Sequence, residues 1–369
     1  MSKVLYRKYR PKSFSDIIGQ SHVVKTLRNA IKNDNISHAY LFTGPRGTGK
    51  TTMARILAKA VNCEDKKDAE PCNKCESCKS ITAGNAVDLI EIDAASHRGI
   101  DEIRQLREGI KFSPNKLKYK VYIIDESHQL TKGAANALLK TLEEAPDHAM
   151  FILATTEPQK MISTIISRCQ RFDFRKLNLS EIIRKLEKIL KEEGVKSDKR
   201  SLEIIATASG GSFRDAESLL DQILTFTEDQ LDEEDVRDLL GLVETQYMFE
   251  FVDLLIEKKR LKAIRYLEKM YKEGVNLEEF HGSLLEYLRQ LMTMSLIDAE
   301  LTDNENSVIA GLRVSFTQKE IKQLKEQSEK IDSTEINKML ESFLKAGKRM
   351  DYSPIPQLPI EMAIVDITA

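Results

Sequence analysis

The stretch Gly44-Pro45-Arg46-Gly47-Thr48-Gly49-Lys50-Thr51 constrains this chain more than any other. It matches G-x-x-x-x-G-K-[ST], follows the apolar run HAYLFT at 38–43, and precedes Met53, Ile56, Leu57, Ala60 and Val61 at helical spacing. A strand leading through a glycine-rich turn into a helix makes a phosphate cradle. Glycines let backbone N–H groups converge, and the helix N-terminus is electropositive. On that geometry Lys50 reaches the β- and γ-phosphates of ATP, and the Thr51 hydroxyl ligates Mg2+. A glycine-rich turn without function is the competing account, and the flanking strand and helix speak against it.

Further apolar runs at 87–92, 119–124, 150–155 and 170–174 read as strands. The helical pattern from Ala135 to Leu142, ended by Pro146, lies among them. Strands alternating with helices imply an α/β domain with a parallel, doubly wound sheet. The run Val121-Tyr122-Ile123-Ile124 ends in Asp125-Glu126. A carboxylate at a strand end is the usual second component of such a site, so Asp125 is expected to act on the metal directly or through water. Glu126 is expected to polarise the attacking water, which requires an acceptor near the γ-phosphate.

Cys63, Cys72, Cys75 and Cys78 follow the spacing C-x8-C-x2-C-x2-C. In a cytosolic setting this argues for a tetrahedral Zn2+ site over disulfides, with free thiols as the alternative. Four thiolates fill the coordination sphere, so the expected role is structural, stapling an insertion over about 62–80. Chelation is expected to loosen that insertion and spare the ATP site; unfolding of the whole chain would contradict this. Cys169 is expected to be buried.

Beyond residue 179 the strand signal disappears, and Ser180 is the expected N-cap of a helix through Leu186 and Leu190. Residues 180–241 read as a small helical domain, with a boundary near Gly241. Residues 242–369 read as amphipathic helices closing on Pro354, Pro356 and Pro359. Residues 1–60 carry twelve Lys/Arg against Asp16 and Asp34 within a chain of net charge −2. That asymmetry suits nucleotide or nucleic acid, or a solvated basic face. Neither a leader nor a membrane span is indicated, and the cytoplasm is the expected compartment.

These motifs combine with Ser167-Arg168-Cys169 and Gly211-Ser212-Phe213-Arg214-Asp215-Ala216, and together they resemble the AAA+ clamp loaders. Tyr9-Arg10-Pro11-Lys12-Ser13-Phe14, Ile92-Asp93-Ala94-Ala95-Ser96 and Ala137-Leu138-Leu139-Lys140-Thr141-Leu142-Glu143-Glu144 look like the bacterial gamma/tau group. The resemblance implies an AAA+ nucleotide-binding domain over 1–179, a helical lid over 180–241 and a helical collar over 242–369. By the same resemblance, Arg168 is an arginine finger acting in trans on a neighbouring subunit's ATP. Arg214 becomes a γ-phosphate sensor in cis, Thr155 or Thr156 the first sensor, and Tyr6 to Pro11 (Tyr9, Arg10 and Pro11 among them) with Ile17 and Ile18 the adenine wall.

The implied activity is an ATPase of the DNA polymerase III holoenzyme that loads the sliding clamp (beta) onto primed-template DNA, itself no polymerase. Implied partners are the delta and delta-prime subunits and further gamma/tau copies, with DNA held through phosphates without sequence reading. Arg98 and Arg104 are candidate DNA contacts. Ser127 and Gln129 stand where the family more often has apolar residues. Because the chain stops at Ala369, contacts made by a longer form's extension are expected to be missing. Competing readings are a non-hydrolysing delta-prime-type scaffold, another AAA+ motor such as a Holliday-junction translocase, and a small-molecule P-loop kinase.

Overall fold

The computed structural model describes residues 4–97, 99–226, 230–239, 245–297 and 318–368. The chain forms two compact units, Met1–Gly194 with Ala208–Gln222, and Val195–Thr207 with Ile223–Ala369.

The first unit is built on β1 (Ala39–Thr43), β2 (Leu89–Asp93), β3 (Lys120–Asp125), β4 (Ala149–Thr155) and β5 (Gln170–Asp173). They form one sheet in the order β2-β3-β4-β1-β5, and every pairing is parallel. Side chains alternate across the two faces, and both faces of the central strands are covered, which is why β1, β3 and β4 read as nearly unbroken apolar runs. On one face Tyr40, Phe42, Val121, Ile123 and Ile152 pack with the helices Ser21–Lys32 and Lys50–Asn62. On the other, Leu41, Tyr122, Ile124, Phe151 and Leu153 pack with Ile100–Ile110 and Lys132–Glu143. Cys169 is half-buried against this second face rather than enclosed. Burial nonetheless pushes its thiol up to about 12.

The helix Leu179–Glu193 begins two residues earlier than the sequence suggests. Its N-cap is Asn178, whose side chain accepts from the Glu181 N–H while the Glu181 carboxylate accepts from the Asn178 N–H. That reciprocal capping box leaves Ser180 inside the first turn.

In the second unit, Thr245–Ile256, Arg260–Lys272, Leu277–Ile297, Gln318–Ser328, Ser333–Met350 and Leu358–Ile367 are helices around one core. Phe251 and Phe280 meet edge to face at 5.2 Å within it. Pro359 sits in the first turn of the last helix, where its missing N–H costs nothing. Strand structure does not vanish after residue 179: Lys196–Ser197 pairs in parallel with Gln230–Leu231. The compact units divide at neither residue 180 nor residue 241, because Val195–Thr207 belongs with the C-terminal unit. Gly241 itself lies outside the described residues. Among the described residues, no helix is long and apolar enough to cross a membrane.

Candidate nucleotide-binding site

The carboxyl ends of β1, β3 and β4 converge in the first unit, as open parallel sheets require of a ligand site. After β1 the chain turns through Gly44, Gly47 and Gly49, all at positive φ. At Gly44 a Cβ would stand 2.3 Å from the Phe174 carbonyl oxygen, and at Gly47 one would stand 1.8 Å from Ser212 Oγ. Only glycine fits at either position. The Gly44 N–H donates to the Thr155 carbonyl (3.2 Å), and the Phe213 N–H donates to the Gly47 carbonyl (3.1 Å). The loop is therefore tied both to β4 and to the residue preceding Arg214.

Lys50 is buried, with Nζ donating to the carbonyls of Gly44 (2.7 Å) and Pro45 (2.8 Å). Burial lowers its pKa, opposed by the charges of Glu126 and Asp125. Thr51 Oγ1 donates to Asp125 Oδ2 at 2.7 Å. A hydroxyl and a carboxylate oxygen at that spacing fit two ligands of one Mg2+. The Glu126 backbone is left-handed (φ 46°), and its N–H donates to Asp125 Oδ1 at 3.0 Å. Thr156 Oγ1 donates to Glu126 Oε2 at 2.9 Å, whereas Thr155 is wholly buried and meets His128. Thr156 is thus the threonine that reaches the expected base. The departure at Ser127 is accommodated: its buried hydroxyl donates to the Ala154 carbonyl at 3.0 Å.

A cavity of about 950 Å³ opens over this machinery. Arg46, Gly47, Thr48 and Gly49 line it together with Lys50, Thr51, Asp125 and Glu126. Arg10, Pro11, Ile17, Ile18 and Arg214 line it as well. Tyr9 does not: its hydroxyl donates to Glu193 Oε1 at 2.8 Å, and Tyr6 takes the wall position instead, 5.3 Å beneath the Arg214 guanidinium. Arg168 is not part of this cavity either. It pairs with Glu143 at 2.6 Å and donates to the Thr164 carbonyl at 2.9 Å. Arg98 lies outside the described residues, and Arg104 pairs with Asp101 at 3.1 Å.

Two lining residues have no motif to announce them. Lys185 Nζ donates to the Tyr9 carbonyl at 2.7 Å and stands 3.4 Å from Glu217. Burial pushes the Glu217 carboxyl up to about 7, more than the Lys185 ammonium pulls it back. A folded-state value above the unfolded one gives stability that is fully present below the ordinary glutamate range. That stability is lost as pH rises through about 7. The thermal midpoint is therefore expected to fall by a few degrees from pH 5 to 8 relative to Glu217→Gln, a difference that parallel melting curves would reveal.

The sulfurs of Cys63, Cys72, Cys75 and Cys78 lie within 4.8 Å of one another. A tetrahedron of Zn–S bonds has edges of about 3.8 Å, so the set fits the metal after slight contraction. Backbone N–H groups already point at the sulfurs: Cys72 to Cys63 at 3.2 Å, Cys75 to Cys72 at 3.3 Å and Cys78 to Cys75 at 3.4 Å. The N–H groups of Lys74 and Cys75 hold the Cys72 thiol down to about 6, while burial pushes Cys63 and Cys78 up. Buried Lys59 ties this module to the helix following the phosphate loop, donating to Asn73 Oδ1 and to the Lys12 carbonyl, both at 2.6 Å.

Comparison with known proteins agrees along the whole chain. Residues 19–178 match the family described as DNA polymerase III, delta subunit; 181–229 match the DNA polymerase III clamp loader subunit, ATPase lid domain; and 231–369 match DNA polymerase III subunits gamma and tau domain III. The chain is 43% identical to DNA polymerase III subunit tau of Bacillus subtilis, over 99% of its own length and 63% of that protein's. It is 36% identical to the tau subunit of Escherichia coli over 98% of its own length and 55% of that protein's, so it spans less than two thirds of either relative. With DNA polymerase III subunit gamma of Buchnera aphidicola it shares 36% identity over 99% of its own length and 98% of the relative's. A solved structure of a Thermotoga maritima RuvB mutant shares the fold at a TM-score of 0.50 and 21% identity, covering 69% of this chain and 81% of that one.

Proposed function

Because the chain belongs to the gamma/tau family of bacterial DNA polymerase III subunits, we propose that it is the ATP-hydrolysing motor of a replicative clamp loader. With ATP bound it joins delta, delta-prime and further gamma/tau copies, opens the beta clamp and grips primed-template DNA; hydrolysis releases the closed clamp. The observation that carries this reading is the set Thr51–Asp125 and Thr156–Glu126, hydrogen-bonded at and just beyond the ends of β3 and β4, with Thr51, Asp125 and Glu126 lining the same cavity as the phosphate loop and Arg214.

In this reading the glycine loop and Lys50 bind the phosphates, and Thr51 and Asp125 hold Mg2+. The metal, when bound, neutralises charge that builds on the β- and γ-oxygens. Glu126 accepts the proton of the attacking water, Thr156 orients it, and Arg214 reports the γ-phosphate. Tyr6, Pro11, Ile17 and Ile18 flank the base. Arg168 serves the neighbouring subunit, consistent with its position away from its own cavity. The four cysteines hold a structural Zn2+. The matches of 181–229 to a lid family and of 231–369 to gamma and tau domain III support a family division distinct from the compact units, with 1–179 for nucleotide, 180–241 as lid and 242–369 as collar, in a cytoplasmic protein.

A non-hydrolysing scaffold of the delta-prime kind is the alternative reading, and the near-full-length similarity to gamma and tau subunits does not favour it. The complete set Lys50, Thr51, Asp125 and Glu126 opposes it. The deciding measurement is ATP hydrolysis by the chain assembled with delta-type partners, with clamp plus primed DNA against neither, and Lys50→Ala as control. Joint stimulation abolished by Lys50→Ala supports the motor. Activity indifferent to clamp points to another AAA+ machine, and a formed but inert complex points to the scaffold.

A further inference from the structure

Glu126 is oriented from two sides. Thr156 Oγ1 donates to its Oε2, and behind that same oxygen, at 3.5 Å, stands Nδ1 of His128. The imidazole is almost wholly enclosed, with 4% of its side chain exposed, and both of its nitrogens have polar partners. Nδ1 lies 3.0 Å from Thr155 Oγ1; Nε2 lies 3.3 Å from Glu157 Oε1 and 3.0 Å from Gln129 Nε2. Thr155 Oγ1 also accepts the Glu157 N–H at 3.0 Å, and Lys160 anchors Glu157 at 2.8 Å. The ring is therefore a strut, wedged between the end of β4 and the base. A buried ring that merely filled space would sit among apolar atoms, whereas this one spends both nitrogens on polar groups.

We propose that His128 is a positioning residue for Glu126, locking the carboxylate to the Thr155–Glu157 turn so that its free oxygen faces the attacking water. The inference rests on the ATPase reading above. A base misaligned by a fraction of an ångström loses rate without losing substrate affinity.

The test uses the chain assembled with delta-type partners, clamp and primed DNA, measuring ATP affinity and single-turnover hydrolysis side by side. His128→Leu, which keeps bulk and removes both nitrogens, is expected to lower the hydrolysis rate at least about tenfold with the Kd for ATP within about twofold. His128→Asn, whose amide nitrogen stands near Nδ1, is expected to recover most of that loss. In a Glu126→Gln background, His128→Leu is expected to cost less than about twofold more, since two residues acting through one group are not additive. If His128→Leu no longer binds ATP, Thr155→Val replaces it, removing the hydroxyl that meets Nδ1. An unchanged rate, a fully additive loss, or Asn as damaging as Leu would overturn the assignment. A wild-type assembly that forms and binds ATP but never hydrolyses it would sink the ATPase reading, and this inference with it.

Discussion

Glu126→Gln is expected to bind ATP as tightly as the parent and to hydrolyse it at least about 100-fold more slowly. Glutamine keeps the volume and can still accept from Thr156, so the hydrogen bond at 2.9 Å survives while the negative charge that takes the water's proton is gone. The left-handed backbone at this residue is anchored by the bond from its N–H to Asp125 and does not depend on the side chain. Equilibrium nucleotide binding alongside single-turnover hydrolysis separates the two effects. A variant that hydrolyses at the parent rate would remove Glu126 from the mechanism, and one that fails to bind would mean the site had collapsed.

Arg168→Ala is expected to leave nucleotide binding by the lone chain intact and to cost about 10³ to 10⁵ in hydrolysis by the assembly, the range for an arginine supplied in trans. Its guanidinium is held by Glu143 and the Thr164 carbonyl, so alanine releases surface contacts worth little to stability. Mixing supplies the sharper check. Arg168→Ala subunits lack the finger but keep an intact cavity; Lys50→Ala subunits have the finger and a crippled cavity. Assemblies containing both should regain part of the activity that each variant alone has lost. Failure of every mixing ratio to do so would count against action between subunits.

The five strands of the first unit were legible to within a residue or two: β1, β3 and β4 because both of their faces are buried, and the more exposed edge strands β2 and β5 because short apolar stretches are bounded by turns. The phosphate loop, the Asp125–Glu126 pair and the cysteines were legible because their chemistry lies in local spacing. Other features depend on distant partners. Ser180 and Asn178 can both cap a helix, and the choice falls to Asn178 through Glu181 answering from the third position. Tyr6 lies within the short helix Leu5–Lys8 and Tyr9 directly follows it, and which one faces the cavity is decided by Glu193, far along the chain, taking the Tyr9 hydroxyl. Lys185 and Glu217 look in sequence like charges on solvated helix faces, and only the tertiary fold closes the cavity wall around them. His128 stands two residues after the Asp125-Glu126 pair, with nothing in the sequence to mark it; the turn that follows β4 supplies its partner Glu157.

β1 and β3 are not neighbours: β4 runs between them, and Thr43 pairs in register with Thr155. The phosphate loop, the threonines and the acidic pair therefore sit on three successive rungs whose separation, about 4.8 Å each, is dictated by backbone hydrogen bonding. Such a frame acts as a gauge rather than a spring. On the proposed ATPase reading it would hold fixed points around a terminal phosphate, and its edges are the loop tied to Phe213, the turn carrying His128, and the helix bearing Arg214.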